Sequence, residues 1–252
     1  MTQLQWEAFS GFRTEFKKKC TEWEQFSEEL LPLQKAAAQK DTPDYPVETP
    51  VVYNCALDDI TKKDAIRLIV IGDNPGKNEQ LKKNRRYLVG QSGKIAEGFF
   101  RRNPELLIDF RKNVIILNKT PVHTAKTAHL KYLIKNGSPR ITELIRGSQI
   151  WMARKTAELH RALCTGPTGY APELWLVGYA EIKKGGIFVP YRETMTAAYQ
   201  TDDKAWQNVF VYQHFSMNRF LIDLSAFEKK HDADNRKKAL EKLGTAHKNE
   251  LF

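Results

Sequence analysis

One stretch of the chain limits its fold more than any other: an apolar run that ends abruptly in Gly-Asp-Asn-Pro-Gly at residues 72–76. The run, residues 66–71, is rich in Ile, Leu and Val, which is typical of a strand buried on both faces of a parallel sheet. The five residues that follow are turn formers. Ligands bind at the carboxyl ends of strands in open α/β sheets, so this turn is a candidate site. An ordinary strand and turn would give the same pattern.

Three more apolar runs, at residues 113–118, 173–178 and 208–213, alternate with helical patterns at 94–102, 125–135, 148–163 and from 219. This order predicts a three-layer α/β/α sandwich with a four-stranded parallel central sheet. Aromatic residues at helical spacing predict that residues 1–45 form a helical extension packed on the main domain, 46–252. The charged tail from residue 228 is expected to fray.

The composition favours an acidic partner. The chain has 252 residues, a net charge of +10 and 41% hydrophobic residues, with no apolar run long enough to span a bilayer. Nucleic acid is therefore a better expectation than a membrane. Three scattered cysteines lack metal-ligand spacing and are expected to be reduced thiols in a cytoplasmic protein, with no metal and no cofactor.

Polar side chains follow three of the four predicted strands: Asp73 and Asn74, Asn118, and His214. The ends of parallel strands share one edge of a sheet, so these residues are expected to meet in one crevice. Each residue also has an ordinary alternative. Asp and Asn often cap loops or form Asx turns, and a single histidine is usually a satisfied surface or core residue.

The same residues carry a resemblance. Gly-Asp-Asn-Pro-Gly at 72–76, Tyr-Leu-Val-Gly-Gln-Ser-Gly at 87–93, the strand ending at Asn118, Val-Gly-Tyr-Ala at 177–180 and His-Phe-Ser at 214–216 occur in a fixed order. Together they resemble the uracil-DNA glycosylase superfamily, with mixed features of its mismatch-specific or single-strand-selective branches and its bacterial thermostable branch. The resemblance covers residues 66–221.

The resemblance implies a monofunctional DNA glycosylase that hydrolyses the N-glycosidic bond of a flipped-out uracil in base excision repair. It implies that Asn118 reads the base, because one amide offers a donor and an acceptor. His214 would donate to uracil O2, and Asn74 would position the attacking water, with Asp73 as a helper or rival. Iron–sulfur members of the family use four cysteines, so no cluster is expected here.

Other motif positions receive expected roles by the same resemblance. Gly72 and Pro75 would border the base, and Leu88 stands where an aromatic residue stacks on it, with Tyr87 beside it as a substitute. Residues expected to contact DNA are the basic or polar ones of the two loops and a wedge candidate, namely Lys77, Arg85, Arg86, Ser92, Ser216, Met217 and Arg219.

Two alternatives stay open. Leu88 and Phe215 depart from the family's pattern, which is compatible with a divergent member that binds nucleic acid or a free base without cleaving it. The excised base is also open, since a deaminated purine such as hypoxanthine would suit the same chemistry. The protein is expected to be a monomer.

Overall fold

The centre of the molecule is a sheet of four parallel strands. The computed structural model describes residues 1–165, 171–199, 204–231 and 235–252. The strands lie in the order β2-β1-β3-β4, with β1 at Leu68–Gly72, β2 at Val114–Asn118, β3 at Glu173–Val177 and β4 at Val209–Tyr212. All strand residues except Glu173 are buried, as a sheet covered on both faces requires. The predicted fold class and all four strands are confirmed.

Helices cover the sheet. In chain order they are α1 Gln3–Trp23, α2 Ser27–Ala38, α3 Gln91–Arg102, α4 His129–Asn136, α5 Pro139–Cys164, α6 Tyr179–Ile182, α7 Val189–Ala198, α8 Arg219–His231 and α9 Arg236–Leu251. The helix predicted from residue 148 begins earlier, at Pro139, which suits the first helical turn because proline lacks a backbone N–H. Within the described ranges, no helix is long and apolar enough to cross a bilayer.

The N-terminal helices are helical as predicted and belong to the main hydrophobic core. Phe9 and Phe16 are fully buried. The rings of Phe12 and Phe16 stack on Trp151 of α5, with centroids 6.3 and 5.9 Å apart. Burial of each such side chain stabilises the fold by roughly 1.5–3 kcal/mol. The aromatic stripe therefore packs in the core.

The C-terminal tail is also part of the core, so the expectation that it frays is wrong. Helix α9 packs on β4, and its Ala239, Leu240 and Leu243 are buried. Gly244 gives the closest approach, because a Cβ there would lie 2.7 Å from both Phe210 Cβ and Tyr212 Oη. The sequence misleads because only a narrow apolar stripe interrupts the many charged residues of this helix.

The strand order determines where a ligand crevice can open in the sheet. From β1 the chain moves to one side to form β2, and then returns to the other side of β1 to form β3. In doubly wound sheets the crevice opens where two neighbouring strands have their connections on opposite sides. Here that point lies between the carboxyl ends of β1 and β3, directly after Gly72 and Val177.

We expect Gly244→Ala to lower the free energy of unfolding by about 1–3 kcal/mol, because the added methyl group overpacks the contact between α9 and β4. Gly11→Ala is the matched control. Gly11 is exposed in α1, a Cβ added there would have nothing within 4 Å, and alanine there should stabilise by roughly 0.5–1 kcal/mol. Urea denaturation of both variants measures the difference. A stabilised Gly244→Ala protein would mean that α9 is not packed in this way.

Candidate active site

A cavity of about 530 Å³ opens at the carboxyl edge of the sheet, at the crevice between β1 and β3. Its walls come from the segments that follow all four strands: Asp73 and Asn74 after β1, Thr124 after β2, Gly178 after β3 and His214 after β4. The polar residues predicted to meet from β1 and β4 therefore do meet. They are 141 positions apart in sequence, and parallel strand direction alone brings them together.

Asn74 presents its side-chain oxygen to the cavity. Its Nδ2 donates to Thr124 Oγ1 at 2.8 Å and to the Val122 carbonyl at 3.3 Å. Thr124 Oγ1 donates in turn to the Lys126 carbonyl at 2.8 Å, so it can only accept from Asn74. These contacts fix the amide with its nitrogen toward the protein. Oδ1 accepts no hydrogen bond from any described residue and is available to a water molecule or ligand.

His214 presents a donor to the same cavity. The backbone N–H of Ser216 donates to His214 Nδ1 at 3.1 Å, and Ser216 Oγ lies 2.8 Å from the same atom. Because Nδ1 accepts, the neutral ring carries its proton on Nε2. Burial lowers the pKa of His214, although the nearby Asp73 carboxylate opposes this shift. The result is a neutral imidazole whose Nε2–H has no partner among the described residues.

Asp73 belongs to a buried ion pair that the sequence did not reveal. Its Oδ1 accepts from Lys119 Nζ at 2.6 Å, and the Lys119 side chain is fully buried. Nζ also donates to the carbonyls of Gly72 at 3.3 Å and Val177 at 2.5 Å, so all three of its protons are used. Burial lowers the pKa of Lys119, against the pull of Asp73. The Asp73 side chain therefore pairs with Lys119 and does not cap the following loop, which was the ordinary structural alternative for this residue.

Gly178 makes room for the Asp73 carboxylate. It has a φ of +100°, a region that favours glycine, and a Cβ at this position would collide with Asp73 Oδ1. Asp73 Oδ2 has only a long contact with Thr127 Oγ1, at 3.4 Å. One carboxylate oxygen is thus held by Lys119, and the other remains largely free at the cavity wall.

Glu79 is a second cavity residue that the sequence did not indicate. Its Oε1 accepts from the Leu88 N–H at 2.8 Å, and its Oε2 accepts from the Gly76 N–H at 3.1 Å. Burial raises the pKa of Glu79 to about 7, although the two backbone donors, Arg111 and Asn118 lower it. In the sequence Glu79 looks like one more charged residue of a solvated loop, which is why it was missed.

Asn118 lies behind the cavity wall. It pairs with Gly72 in the sheet register, is 2% exposed, and does not line the cavity. Its amide is close enough to lower the pKa of Glu79, but Nδ2 makes no hydrogen bond of normal geometry. A Cβ on Gly72 would collide with Asn118 Oδ1. The expectation that Asn118 itself contacts the base therefore has no support from its position.

Leu88 lines the cavity, whereas its neighbour does not. Leu88 has a φ of +51°, and its carbonyl accepts from Arg111 Nη2 at 2.8 Å. Such strained conformations persist where surrounding contacts enforce them, often at functional sites. Tyr87 is buried, and its hydroxyl donates to the Val52 carbonyl at 2.5 Å. The idea that Tyr87 replaces the stacking aromatic is corrected by this placement.

Pro75 supports the turn from its backbone. Its carbonyl lies 2.7 Å from His123 Nδ1 and accepts from the Thr124 N–H at 3.3 Å. Burial lowers the pKa of His123 to about 4, so the ring is neutral and donates to this carbonyl. Pro75 itself does not line the cavity.

The basic loop residues do not all face the cavity, which corrects their expected shared role. Arg86 pairs with Asp59 at 2.7 Å and lines a second cavity of about 570 Å³ beside the outer edge of β2. Arg85 is half-buried near Cys20; burial raises the pKa of that thiol, and the charge of Arg85 opposes the rise. Lys77 is exposed next to Gly76, which does line the cavity.

The remaining predicted contact residues gather at the cavity. Ser92, Ser216, Met217 and Arg219 all line it. Met217 is 70% exposed with a φ of +53°, and the next residue, Asn218, has a φ of +55°. Two consecutive left-handed residues thus hold a large apolar side chain out in solvent at the rim.

A strap from the N-terminal region holds the loop after β1. Gln80 is fully buried; its Nε2 donates to the carbonyls of Pro46 and Lys77, at 2.7 and 3.0 Å. Its Oε1 accepts from the N–H groups of Glu48 and Thr49, at 2.6 and 3.2 Å. Residues 46–49 are therefore fastened to the segment that carries Glu79.

The cavity is lined by several kinds of polar side chain: the amides of Asn74 and Gln213, the imidazole of His214, the carboxyls of Asp73, Glu79 and Glu181, and the cations Lys126 and Arg219. In the described part of the chain, no three His, Cys, Asp or Glu side chains cluster in a way that would hold a metal ion. All three cysteines lie in the described ranges, and none of them forms a disulfide.

Comparison with protein-family models, with curated proteins and with solved structures gives no match for this chain.

We expect Lys119→Met to lower the free energy of unfolding by about 3–5 kcal/mol, because it leaves the buried Asp73 carboxylate without its partner. The double variant Lys119→Met with Asp73→Asn removes that charge and should recover part of the loss. Denaturant titration of the three proteins gives the comparison. Equal losses in the single and double variants would show that charge pairing is not what Lys119 provides.

Glu79 should make stability depend on pH. Its folded-state pKa of about 7 lies above its ordinary value of 4.5, so the folded protein binds more protons between these values. Its favourable contribution is therefore present below about pH 4.5 and is lost as pH rises toward 7. Relative to Glu79→Gln, the wild-type protein should lose up to about 3 kcal/mol of stability between pH 4.5 and 8. A pH-independent difference would contradict the raised pKa.

Proposed function

We propose that this protein is a DNA glycosylase that hydrolyses the N-glycosidic bond of a flipped-out uracil or another deaminated base. One observation carries the proposal: Asn74, whose Oδ1 accepts no hydrogen bond from a described residue, and His214, whose neutral ring has an Nε2–H without a described partner, line the same cavity. The ordered motifs of residues 66–221 support it independently.

The two groups match the two requirements of this reaction. Water must approach the sugar carbon while the bond to the base breaks and its electron pair passes to the base. Asn74 Oδ1 would accept a hydrogen bond from that water and orient it. An amide is a poor base, so most of the rate acceleration must come from stabilising the departing base.

His214 would supply that stabilisation. Negative charge builds on the base oxygens as the bond breaks, and a preorganised donor in a water-poor site stabilises it by roughly 2.7–4 kcal/mol. A neutral imidazole donates without giving up its proton. Its fixed tautomer, set by the Ser216 N–H, therefore suits the role.

Asp73 would act beside Asn74. Its carboxylate would stabilise the positive charge that develops on the sugar. Asp73 Oδ2 is available for this role, because it accepts only a long hydrogen bond from Thr127 Oγ1. The same oxygen would accept a proton from the attacking water. Lys119 holds Asp73 in place, since its ammonium is 2.6 Å from the other oxygen.

The proposed partner is DNA, which agrees with the net charge of +10. A base in a duplex must be extruded to reach the cavity, at a cost of a few kcal/mol. Met217, held out at the rim, is placed to fill the gap left in the stack. Ser92, Ser216 and Arg219 would meet phosphates there. The proposal includes a cytoplasmic, monomeric enzyme that uses no cofactor.

The test uses end-labelled oligonucleotides that contain uracil, hypoxanthine or xanthine, each as a single strand and as a duplex. Incubation followed by alkali should give strand cleavage at uracil if the proposal is correct. Cleavage at purine lesions alone would change the substrate to a deaminated purine. No alkali-labile product from any lesion, together with retained DNA binding, would support a non-cleaving binding protein instead.

We expect His214→Asn to lower the single-turnover rate of uracil excision about 100- to 1,000-fold, because it removes the donor to the departing base. His231→Asn is the control, since His231 is exposed at the end of α8, and it should leave the rate unchanged. If His214→Asn cleaves at the wild-type rate, the assigned role of His214 is wrong.

A further inference from the structure

The cavity wall where Asn118 was expected to read the base is occupied by Glu79. Glu79 lines the cavity and Asn118 does not. The two side chains are close enough for the Asn118 amide to act on the Glu79 carboxyl. Asn118, at the end of β2, therefore lies behind the Glu79 carboxylate, and a ligand in the cavity would contact that carboxylate.

The Glu79 carboxylate has capacity for a further donor. Two ionised oxygens offer about four acceptor sites, and the backbone N–H groups of Gly76 and Leu88 use two of them. These two bonds also fix the carboxylate, because each oxygen is held by a different segment of the wall. A buried, fixed acceptor with free lone pairs is suited to reading an N–H group.

We propose that Glu79 is the specificity-determining residue of the cavity, accepting a hydrogen bond from the ring N–H that lies beside a carbonyl in the bound base. Uracil offers such a group at N3, and hypoxanthine and xanthine offer it at N1. Cytosine has a lone pair at N3, which would face the carboxylate and be repelled. This inference rests on the proposed function, and it names the class of base.

Glu79 and His214 then have separate tasks. A carboxylate opposes the negative charge that develops on the departing base, so Glu79 should favour binding of the correct base and should not accelerate bond cleavage, which is the task of His214. Asn118 is a positioning residue in this arrangement, since it lies against the carboxyl from behind. Loss of Glu79 should therefore weaken base binding without lowering kcat.

The ionised form is required, which gives the selectivity a pH dependence. Burial raises the pKa of Glu79 to about 7. As pH falls below this value, the carboxylate gains a proton, so one oxygen becomes a donor and the charge that strengthens the accepted hydrogen bond is lost. Preference for a base with a ring N–H should therefore decline from pH 8 to pH 6 in the wild-type protein and stay constant in Glu79→Gln.

Binding of free bases tests the inference without any cleavage. The probes are uracil and 3-methyluracil, titrated by calorimetry at pH 8 into wild-type protein, Glu79→Gln and the control Glu105→Gln, whose altered side chain is exposed. The steric cost of the methyl group is common to all three proteins, so the change in preference isolates the hydrogen bond. The preference is the affinity for uracil divided by the affinity for 3-methyluracil. In wild type and in the control this ratio should be roughly 10- to 100-fold larger than in Glu79→Gln.

Several outcomes overturn the inference. They are equal preferences in wild type and Glu79→Gln, a wild-type preference that does not change between pH 8 and pH 6, and absence of uracil binding to the wild-type protein. The pH series uses wild-type protein alone, so it holds even if Glu79→Gln folds poorly. If the predicted preference is found while no oligonucleotide is cleaved, Glu79 reads the base in a protein that is not a glycosylase.

Discussion

A single buried ammonium organises the carboxyl edge of the sheet. Lys119 directly follows β2, and its ammonium donates hydrogen bonds to the last carbonyls of β1 and β3 and to Asp73. Carbonyls at strand ends would otherwise lack partners away from water. The same interaction fixes one oxygen of Asp73, the residue before Asn74, at the cavity wall. The geometry of the site depends on this residue, although Lys119 does not line the cavity.

The sequence allowed the fold to be predicted because its signals are local. Four apolar runs, three of them followed by polar residues, define a parallel sheet, and strand direction then gathers Asp73, Asn74 and His214. Lys119 and Glu79 were not predictable in the same way. A charged residue is buried only when distant partners satisfy it, and the partner of Lys119 is 46 positions away. For the same reason Asn118, next to a buried lysine, could not be placed behind the wall from its spacing alone.

Charge is divided between the cavity and the surface. Asp73 is matched by Lys119, His214 is neutral, and Glu79 changes charge near pH 7. The cavity therefore carries little net positive charge, even though the chain carries +10. In the proposed function, attraction to a polyanion would come from exposed residues at the cavity rim and beyond it, such as Arg219 and Lys77, and discrimination among bases would come from inside the cavity. In that case salt should weaken association with a nucleic acid while leaving the choice of base largely intact.

The strap made by Gln80 bears on how this fold can change over time. Three hydrogen bonds join Pro46, Glu48 and Thr49 to Gln80, the residue after Glu79. These residues directly follow the predicted N-terminal extension, 1–45, so the strap belongs to the main domain. A lineage that deleted or replaced residues 46–49 would release the cavity wall that carries Glu79. This short segment is thus inherited together with the cavity and cannot be exchanged independently of it.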